Sequence, residues 1–215
     1  MYKRQSFVDD IMGIQVQEGF TNILRVVPLY DFCEKESGMF AKTIKISTIF
    51  FVVLTIIFTL IYQCSPNAVI LSIAITFGTI SYHFLMRLFV GYVVNGIFHN
   101  RFNYNRKWFQ EKKFEKRLYE VLRVKKWKDK MPTFAPEMLD LKAHTWEEIA
   151  GAMCQSEVVH SIIVVLCFVP ILATLLWGTF WVFFITSVLS ACVESMFVIM
   201  QRYNRPRVIK MIEKK

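Results

Sequence analysis

Charge is missing from two long stretches of this sequence. No Asp, Glu, Lys or Arg occurs from Ile46 to Leu85 or from Val158 to Val193. Each stretch is about twice the ~20 apolar residues that a helix needs to cross a bilayer, which predicts a helical hairpin in each. Core helices of soluble proteins, the alternative, normally carry a polar stripe at the helical period, and none is visible here. The sequence therefore predicts an all-α integral membrane protein with four transmembrane helices arranged as two hairpins.

Common motifs of soluble enzymes are also lacking. The sequence has no Gly-rich phosphate loop, no H-E-x-x-H and no G-x-S-x-G, which argues against the commonest nucleotide-binding, metallohydrolase and serine-hydrolase classes. Its five cysteines include no C-x-x-C pair. We therefore expect neither a disulfide framework nor a metal site.

Turn residues divide each charge-free stretch into two helices. Pro66 and its polar neighbours form the first turn, Gly178 lies in the second, and Pro206 is expected to stop the last helix. The predicted helices run near Lys45 to Tyr62, Ala68 to Ile97, Glu157 to Leu176 and Phe180 to Gln201.

Composition divides the chain into four segments. Residues 1–38 show little internal pattern and are treated as an uncertain N-terminal segment that need not be native, because Met39 opens the first apolar run. Residues 39–99 form the first hairpin, residues 100–156 a basic segment, and residues 157–215 the second hairpin with a basic tail.

The basic residues predict the orientation in the membrane. Of the 26 Lys and Arg, 13 lie between Asn100 and Glu157, six follow Gln201 and six precede Ile46. Because cytoplasmic loops carry the excess of Lys and Arg, both termini and the basic segment are predicted to be cytoplasmic. The formal charge of +9 then reflects topology and attraction to anionic lipids, and no nucleic-acid partner is expected.

Ionisable residues inside the predicted spans are functional candidates because they are costly there. His83 and Arg87 are four positions apart and share one helix face. Glu194 lies inside the last span at a depth that Arg87 could match, so the two could form an ion pair. Such a pair is either a structural clamp between the hairpins or part of a functional site.

Glu157 and His160 have the i, i+3 spacing that puts two residues on one helix face. A carboxylate beside an imidazole sets its tautomer and stabilises its protonated form, which is what a general base requires. The alternative is that Glu157 complements the helix dipole and His160 is an ordinary interfacial residue.

The last helix leaves the membrane in an arginine-rich segment, Gln201-Arg202-Tyr203-Asn204-Arg205-Pro206-Arg207. In an antiparallel hairpin this segment would emerge beside Glu157 and His160. Guanidinium groups favour phosphate and carboxylate. A purely topogenic role is the alternative.

The basic segment predicts a helix from Asn105 to Val124 that continues into a lysine strip ending at Pro132. Apolar and basic residues alternate along it as in an amphipathic helix that lies on a membrane with its basic side chains snorkelling. The apolar positions are Phe109, Leu118, Tyr119 and Leu122, and the basic ones Lys112, Lys113, Lys116 and Arg123.

Three motifs resemble, in the same order, those of the glycosyl-4,4'-diaponeurosporenoate acyltransferase family. They are Arg123-Val124-Lys125-Lys126-Trp127-Lys128-x-Lys130-x-Pro132, Glu157-x-x-His160 and the Gln201 to Arg207 segment. The resemblance covers roughly Phe98 to Lys210 and leaves out the first hairpin. Members of the family are small membrane proteins that esterify a fatty acyl group onto the sugar of a glycosylated carotenoid.

The resemblance implies an O-acyltransferase at the cytoplasmic face of a bacterial cell membrane. Its acyl donor, acyl-CoA or a similar molecule, would be a substrate, its acceptor a lipid or glycolipid, and no separate cofactor is implied. His160 would be the base, Glu157 would orient it, and Asn204 or Arg205 would face the oxyanion. The implied substrate-binding residues are Lys125, Lys126, Trp127, Lys128, Lys130, Arg202 and Arg207.

Two other classes remain open at this point. A membrane methyltransferase of the isoprenylcysteine type also acts at the cytosolic ends of helices, but its cofactor-binding pattern is not matched here. A non-catalytic membrane module, such as a transporter subunit or export partner, would need no base at His160. The sequence does not indicate the oligomeric state.

Overall fold

The computed structural model describes residues 26–132, 136–141 and 143–214, and this part of the chain is all-α, without strands. Residues 1–25 of the uncertain N-terminal segment lie outside the described residues. The α-helices are α1 (Val26–Cys64), α2 (Ala68–Phe98), α3 (Lys113–Val121), α4 (Val124–Trp127), α5 (Trp146–Leu166), α6 (Thr174–Trp177) and α7 (Phe180–Ile212).

Four helical stretches in the described residues are long and apolar enough to cross a membrane, which confirms the prediction of a four-span, all-α membrane protein. They are Phe40–Cys64, Ala68–Phe98, Trp146–Trp177 and Phe180–Ile212. Large apolar side chains such as Ile49, Phe50 and Val53 are exposed on them. Lipid tails are as apolar as these side chains, so such exposure is not unfavourable in a bilayer.

Within the described residues, helix α1 runs from Val26 to Cys64, so it includes residues well before the predicted start near Lys45. It ends just before Pro66. The turn at Pro66 leads into α2, where the Asn67 side chain accepts a hydrogen bond from the Val69 amide at 2.8 Å. This N-cap explains why α2 begins where the sequence predicts.

Helix α5 begins at Trp146, well before the predicted start near Glu157. A capping box holds its first turn. The Thr145 amide donates to Oε2 of Glu148 at 2.8 Å, and the Glu148 amide donates to Oγ1 of Thr145 at 3.3 Å. The T-x-x-E pattern was the sequence signal for this start, and the charge-free stretch alone missed it.

The third span is interrupted near its far end. Helix α5 ends at Leu166, and a 3-10 turn over Val169–Ala173 follows. Because Pro170 has no N–H, the Leu166 carbonyl loses the donor that an unbroken helix would give it. The Tyr82 hydroxyl donates to this carbonyl instead, at 2.9 Å.

Pro206 does not stop α7, so the predicted helix end near Gln201 is wrong. The helix continues to Ile212 with Pro206 inside it. Val208 is fully buried, and Met211 and Ile212 pack on the same apolar cluster. Burying these side chains offsets the roughly 3 kcal/mol that an internal proline costs.

The basic segment is not one helix from Asn105 to Val124. A 3-10 turn over Lys107–Phe109 precedes α3, and Arg123, with φ of 49°, separates α3 from α4. A left-handed residue cannot continue a right-handed helix, which explains the break. The predicted apolar positions also divide, because Phe109 and Tyr119 are buried whereas Leu118 and Leu122 are exposed.

Within the described residues, the chain forms two compact units. The first comprises residues 26–41, 103–154 and 199–214, and the second Lys42–Phe102 and Gln155–Val198. The core of the first unit consists of Trp146, Ile149, Ala150, Met153 and Val208. The core of the second unit consists of Met86, Val90, Val94, Ile163, Cys167 and Ala191.

Candidate functional site

A buried carboxylate joins two other ionisable side chains in the second unit. The Glu194 side chain has 0% exposure, and its two oxygens have different partners. Oε1 accepts a hydrogen bond from the Arg87 guanidinium, and Oε2 lies 2.6 Å from Nδ1 of His160. Arg87, His160 and Glu194 are called the polar triad below. Arg87 and Glu194 are the two residues whose pairing the sequence suggested.

Three helices, α2, α5 and α7, each supply one member of the polar triad. Gln155 holds α2 against α5, because its side chain accepts from the Asn100 amide at 2.7 Å and donates to Asn95 at 3.0 Å. Each triad member also has a core residue three positions away on its own helix, and so on the same face. These core residues are Val90, Ile163 and Ala191.

The ring of His160 is held between a carboxylate and an aromatic side chain. Its ring stacks on Phe197, with 4.6 Å between ring centroids and 9° between planes. With a carboxylate at Nδ1, the proton of the neutral ring belongs on Nδ1, which leaves Nε2 as an acceptor. No described residue hydrogen-bonds Nε2, and 18% of the side chain is exposed. A carboxylate behind an imidazole whose outer nitrogen is open is the arrangement of a general base.

Glu157 was expected to orient His160, and here the structure requires a correction. The carboxylate at Nδ1 of His160 is that of Glu194, on a different helix. Glu157 is itself buried, with 1% exposure. Sequence spacing finds partners along one helix, whereas pairing between helices depends on their depth and rotation. The signal for Glu194 was its position as an isolated acidic residue within the last span.

His83 lies one turn before Arg87 on α2 and is buried. Neither of its ring nitrogens has a hydrogen-bond partner in the described residues, and Nε of Arg87 is also buried without one. Edge-to-face contact with Tyr82, at 5.5 Å between ring centroids, holds the imidazole. His83 is therefore adjacent to the polar triad without belonging to its hydrogen bonds.

In the first unit, Arg202 binds both α3 and the segment that precedes it. Its Nε donates to Oε1 of Glu115 at 2.9 Å, and NH1 donates to the Trp108 carbonyl at 3.2 Å. Tyr119 donates to the other oxygen of Glu115 at 2.9 Å. Burial, followed by this hydrogen bond, raises the pKa of Tyr119. Arg202, predicted to bind substrate, thus contacts the protein itself through these atoms.

Arg205 and Asn204, the predicted oxyanion residues, are buried in the first unit at 1% and 4% exposure. Nε of Arg205 donates to the Phe109 carbonyl at 3.2 Å, and its guanidinium lies 5.0 Å from the centroid of the Phe109 ring. Oδ1 of Asn204 has no partner in the described residues. Glu157 and His160 belong to the second unit, so the predicted catalytic residues are divided between the two units.

A basic pocket of about 830 Å³ opens on the first unit. Six basic and two acidic side chains line it, so the lining has a net positive charge. Arg207 lies 4.7 Å from the centroid of the Tyr203 ring and donates to its hydroxyl at 3.0 Å. Tyr203 in turn meets Tyr119 edge to face. The basic lining residues are Lys116, Arg123, Lys125, Lys126, Arg207 and Lys210.

Only some of the predicted substrate-binding residues of the lysine strip line the basic pocket. Lys125 and Lys126 line it, whereas Lys128 is buried with Nζ 2.6 Å from Oδ1 of Asp129. Trp127 donates from Nε1 to the Leu122 carbonyl at 2.9 Å, and Lys130 is exposed. The strip is helical and then a 3-10 turn, so successive lysines point in different directions.

A sequence model of the glycosyl-4,4'-diaponeurosporenoate acyltransferase family matches residues 105–214. The chain belongs to the glycosyl-4,4'-diaponeurosporenoate acyltransferase family. No curated protein and no solved structure matches it. Membership supports acyltransferase activity in general and confirms the resemblance stated from the three motifs.

The region shared with the acyltransferase family contains most of the candidate residues. His160 and Glu194 fall within residues 105–214, as does the whole lining of the basic pocket. Arg87 and His83 fall outside it. In the described residues, no group of three or more His, Cys, Asp or Glu side chains is placed to hold a metal ion.

Proposed function

We propose that this acyltransferase-family protein is an O-acyltransferase that moves a fatty acyl group from an acyl thioester to a hydroxyl group of a lipid, at the cytoplasmic face of a cell membrane. The observation that carries the proposal is the hydrogen bond from His160 to the buried Glu194 carboxylate, which leaves Nε2 of His160 open. A non-catalytic membrane module would not require the open nitrogen of His160.

The proposed reaction needs one base and no cofactor. Nε2 of His160 takes the proton of the acceptor hydroxyl as its oxygen attacks the thioester carbonyl carbon. The new C–O bond forms a tetrahedral oxyanion, and its collapse breaks the C–S bond. The proton on His160 then passes to the departing thiolate. Glu194 holds the imidazole in the reactive tautomer and stabilises the imidazolium that forms between the two transfers.

The basic pocket supports a donor that carries phosphate. Six cationic side chains around about 830 Å³ suit several phosphate groups better than a single carboxylate. Acyl-CoA, a thioester with a nucleotide diphosphate, has this chemistry. Its acyl chain would come from the cytosolic side, and the lipid acceptor from the bilayer.

The direct test is acyl transfer by the purified protein in lipid nanodiscs. Labelled acyl-CoA is supplied with a mixture of neutral glycolipids, and the lipid fraction is examined for an alkali-labile ester that carries the label. Formation of the labelled ester only when the protein is present would support the proposed acyltransferase function. If no lipid is acylated from either acyl-CoA or acylated carrier protein, the proposal is wrong.

The basic pocket leads to a prediction about the donor. Charge reversal at Lys125 or Lys126 should raise the KM for acyl-CoA roughly tenfold, because a hydrogen bond to a charged group contributes about 1.5 kcal/mol. The KM for the acceptor should stay within about twofold. Initial rates at varied donor concentration measure both effects. Lys130→Glu is the control, since Lys130 is exposed and does not line the pocket. An equal effect at Lys130 would mean that the lysines act only through overall charge.

The proposed orientation can be tested without a substrate. Single cysteines replace Ser65 or Lys130, both exposed, in a background without native cysteines. In intact cells an impermeant maleimide should label the cysteine at position 65 at once, and the cysteine at position 130 only after permeabilisation, because basic segments stay in the cytoplasm. Labelling of both from the same side would contradict the orientation.

A further inference from the structure

His83 has an unused hydrogen-bonding capacity inside the second unit. Its residue exposure is 8%, and both ring nitrogens are buried without partners among the described residues. Buried polar groups in native proteins are almost always hydrogen-bonded. An unpaired imidazole at this depth therefore indicates a polar group that is present only when a ligand or water is bound.

The surroundings of His83 indicate the charge of that ligand. Arg87 lies on the same helix face, and its Nε is also buried without a partner. NH2 of its guanidinium is paired with Glu194, so the two charges compensate each other. A phosphate here would meet no uncompensated cation. An uncharged ligand is therefore favoured.

The hydrogen-bonding pattern narrows the ligand further. A neutral imidazole has one donor and one acceptor, and a hydroxyl group can pair with either. Nε of Arg87 adds one more donor. The side chains of Arg87 and His160 are 25% and 18% exposed, so the polar triad next to His83 is partly accessible. A lipid with a hydroxyl-bearing headgroup could enter from there.

We propose that His83, together with Nε of Arg87, binds hydroxyl groups of the uncharged lipid headgroup that serves as acyl acceptor. That the bound lipid is the acyl acceptor rests on the proposed function, but the binding itself does not require turnover. His83 lies outside residues 105–214, so the family match assigns it no role. His83 would then be a positioning residue that selects the acceptor, whereas His160 carries out the proton transfer.

The kinetic test separates selection from chemistry. His83→Phe keeps an aromatic ring and removes both nitrogens, so the KM for a monoglucosyl lipid should rise about tenfold or more. The kcat and the KM for the acyl donor should stay within about twofold. His83→Gln, which can both donate and accept, should recover part of the lost affinity. Thr79→Val is the matched control, because Thr79 is a buried polar residue of α2 whose hydroxyl donates to the Ile75 carbonyl of the same helix.

The binding test does not depend on acyl transfer. A photoactivatable monoglucosyl diacylglycerol is crosslinked to the protein in nanodiscs, and the labelled peptides are identified. Label on α2 should be strong in the wild type, at least fivefold weaker in His83→Phe and partly restored in His83→Gln. Unlabelled glycolipid should compete, and phosphatidic acid should not.

The outcomes distinguish this proposal from the proposed function. Labelling that depends on His83 in a protein without acyl transfer would keep the site and overturn the function. Equal labelling of wild type, His83→Phe and His83→Gln would overturn the site, and would mean that water alone satisfies the imidazole. Effective competition by phosphatidic acid would overturn the assignment of an uncharged ligand.

Discussion

Replacing His160 by Ala should lower the rate of acyl transfer ~100- to 10,000-fold, because positioned general bases contribute about that much. Membrane insertion and expression should be retained, since His160 is a partly exposed member of the polar triad and not a core residue. The measurement is initial acyl transfer from labelled acyl-CoA in nanodiscs, at equal amounts of folded protein.

The chain offers a close control for this experiment. His144 also lies beside a carboxylate, with Nδ1 3.6 Å from Glu148, but outside the second unit. His144→Ala should keep nearly the full rate. Glu194→Gln should reduce the rate less than His160→Ala, because the amide oxygen still accepts the Nδ1 proton. Near-normal turnover in His160→Ala would show that the base lies elsewhere, and Glu194 would then have only a structural role.

Replacing Arg87 or Glu194 singly by Leu should lower the free energy of unfolding by roughly 3 to 5 kcal/mol, because either change strands a charge that the other residue neutralised. Glu194 is fully buried, and it cannot be solvated in place. The double variant should be far milder than the sum of the two, since no charge is then left behind. Unfolding in mixed micelles of increasing denaturing-detergent content measures the three variants.

An exposed arginine provides the comparison for the ion-pair variants. Arg106 is exposed in the first unit, and Arg106→Leu should change stability by no more than about 0.5 kcal/mol. If the double variant is as unstable as the sum of the singles, Arg87 and Glu194 act independently. The hydrogen bond between them would then contribute nothing to stability.

The sequence predicted the spans because bilayer insertion depends on properties that a single segment carries. The absence of charge was enough to locate four helices, and Asn67 correctly set the start of α2. The predicted ends of helices were wrong where capping or burial of particular side chains outweighed the apolar composition. Thr145 and Glu148 start α5 ahead of the apolar stretch, and Pro206 is overridden because the residues beyond it are buried.

The sequence predicted which residues belong to the candidate site, but not how they pair. Glu194, His160 and Arg87 were each recognisable as ionisable residues in or beside an apolar span. The partner of His160 was not recognisable, because the choice between Glu157 and Glu194 depends on how α5 and α7 are rotated toward each other. The basic pocket likewise depends on a left-handed residue, Arg123, which redirects the chain between α3 and α4.

The hydrogen bond from Tyr82 to the Leu166 carbonyl restricts how α2 can rotate about its own axis. In a bilayer, a Leu or Ile side chain is about as stable against lipid as against another helix. Apolar side chains alone therefore hardly favour one rotation of the helix over another. A carbonyl without a donor does discriminate, because hydrocarbon offers it none. Each residue along a helix turns the face by about 100°, so a slip of one position would carry Tyr82 away from Leu166. The same slip would turn His83 and Arg87 out of the bundle. Because Pro170 leaves the Leu166 carbonyl free to accept from Tyr82, this proline helps to fix which face of the second span meets Glu194.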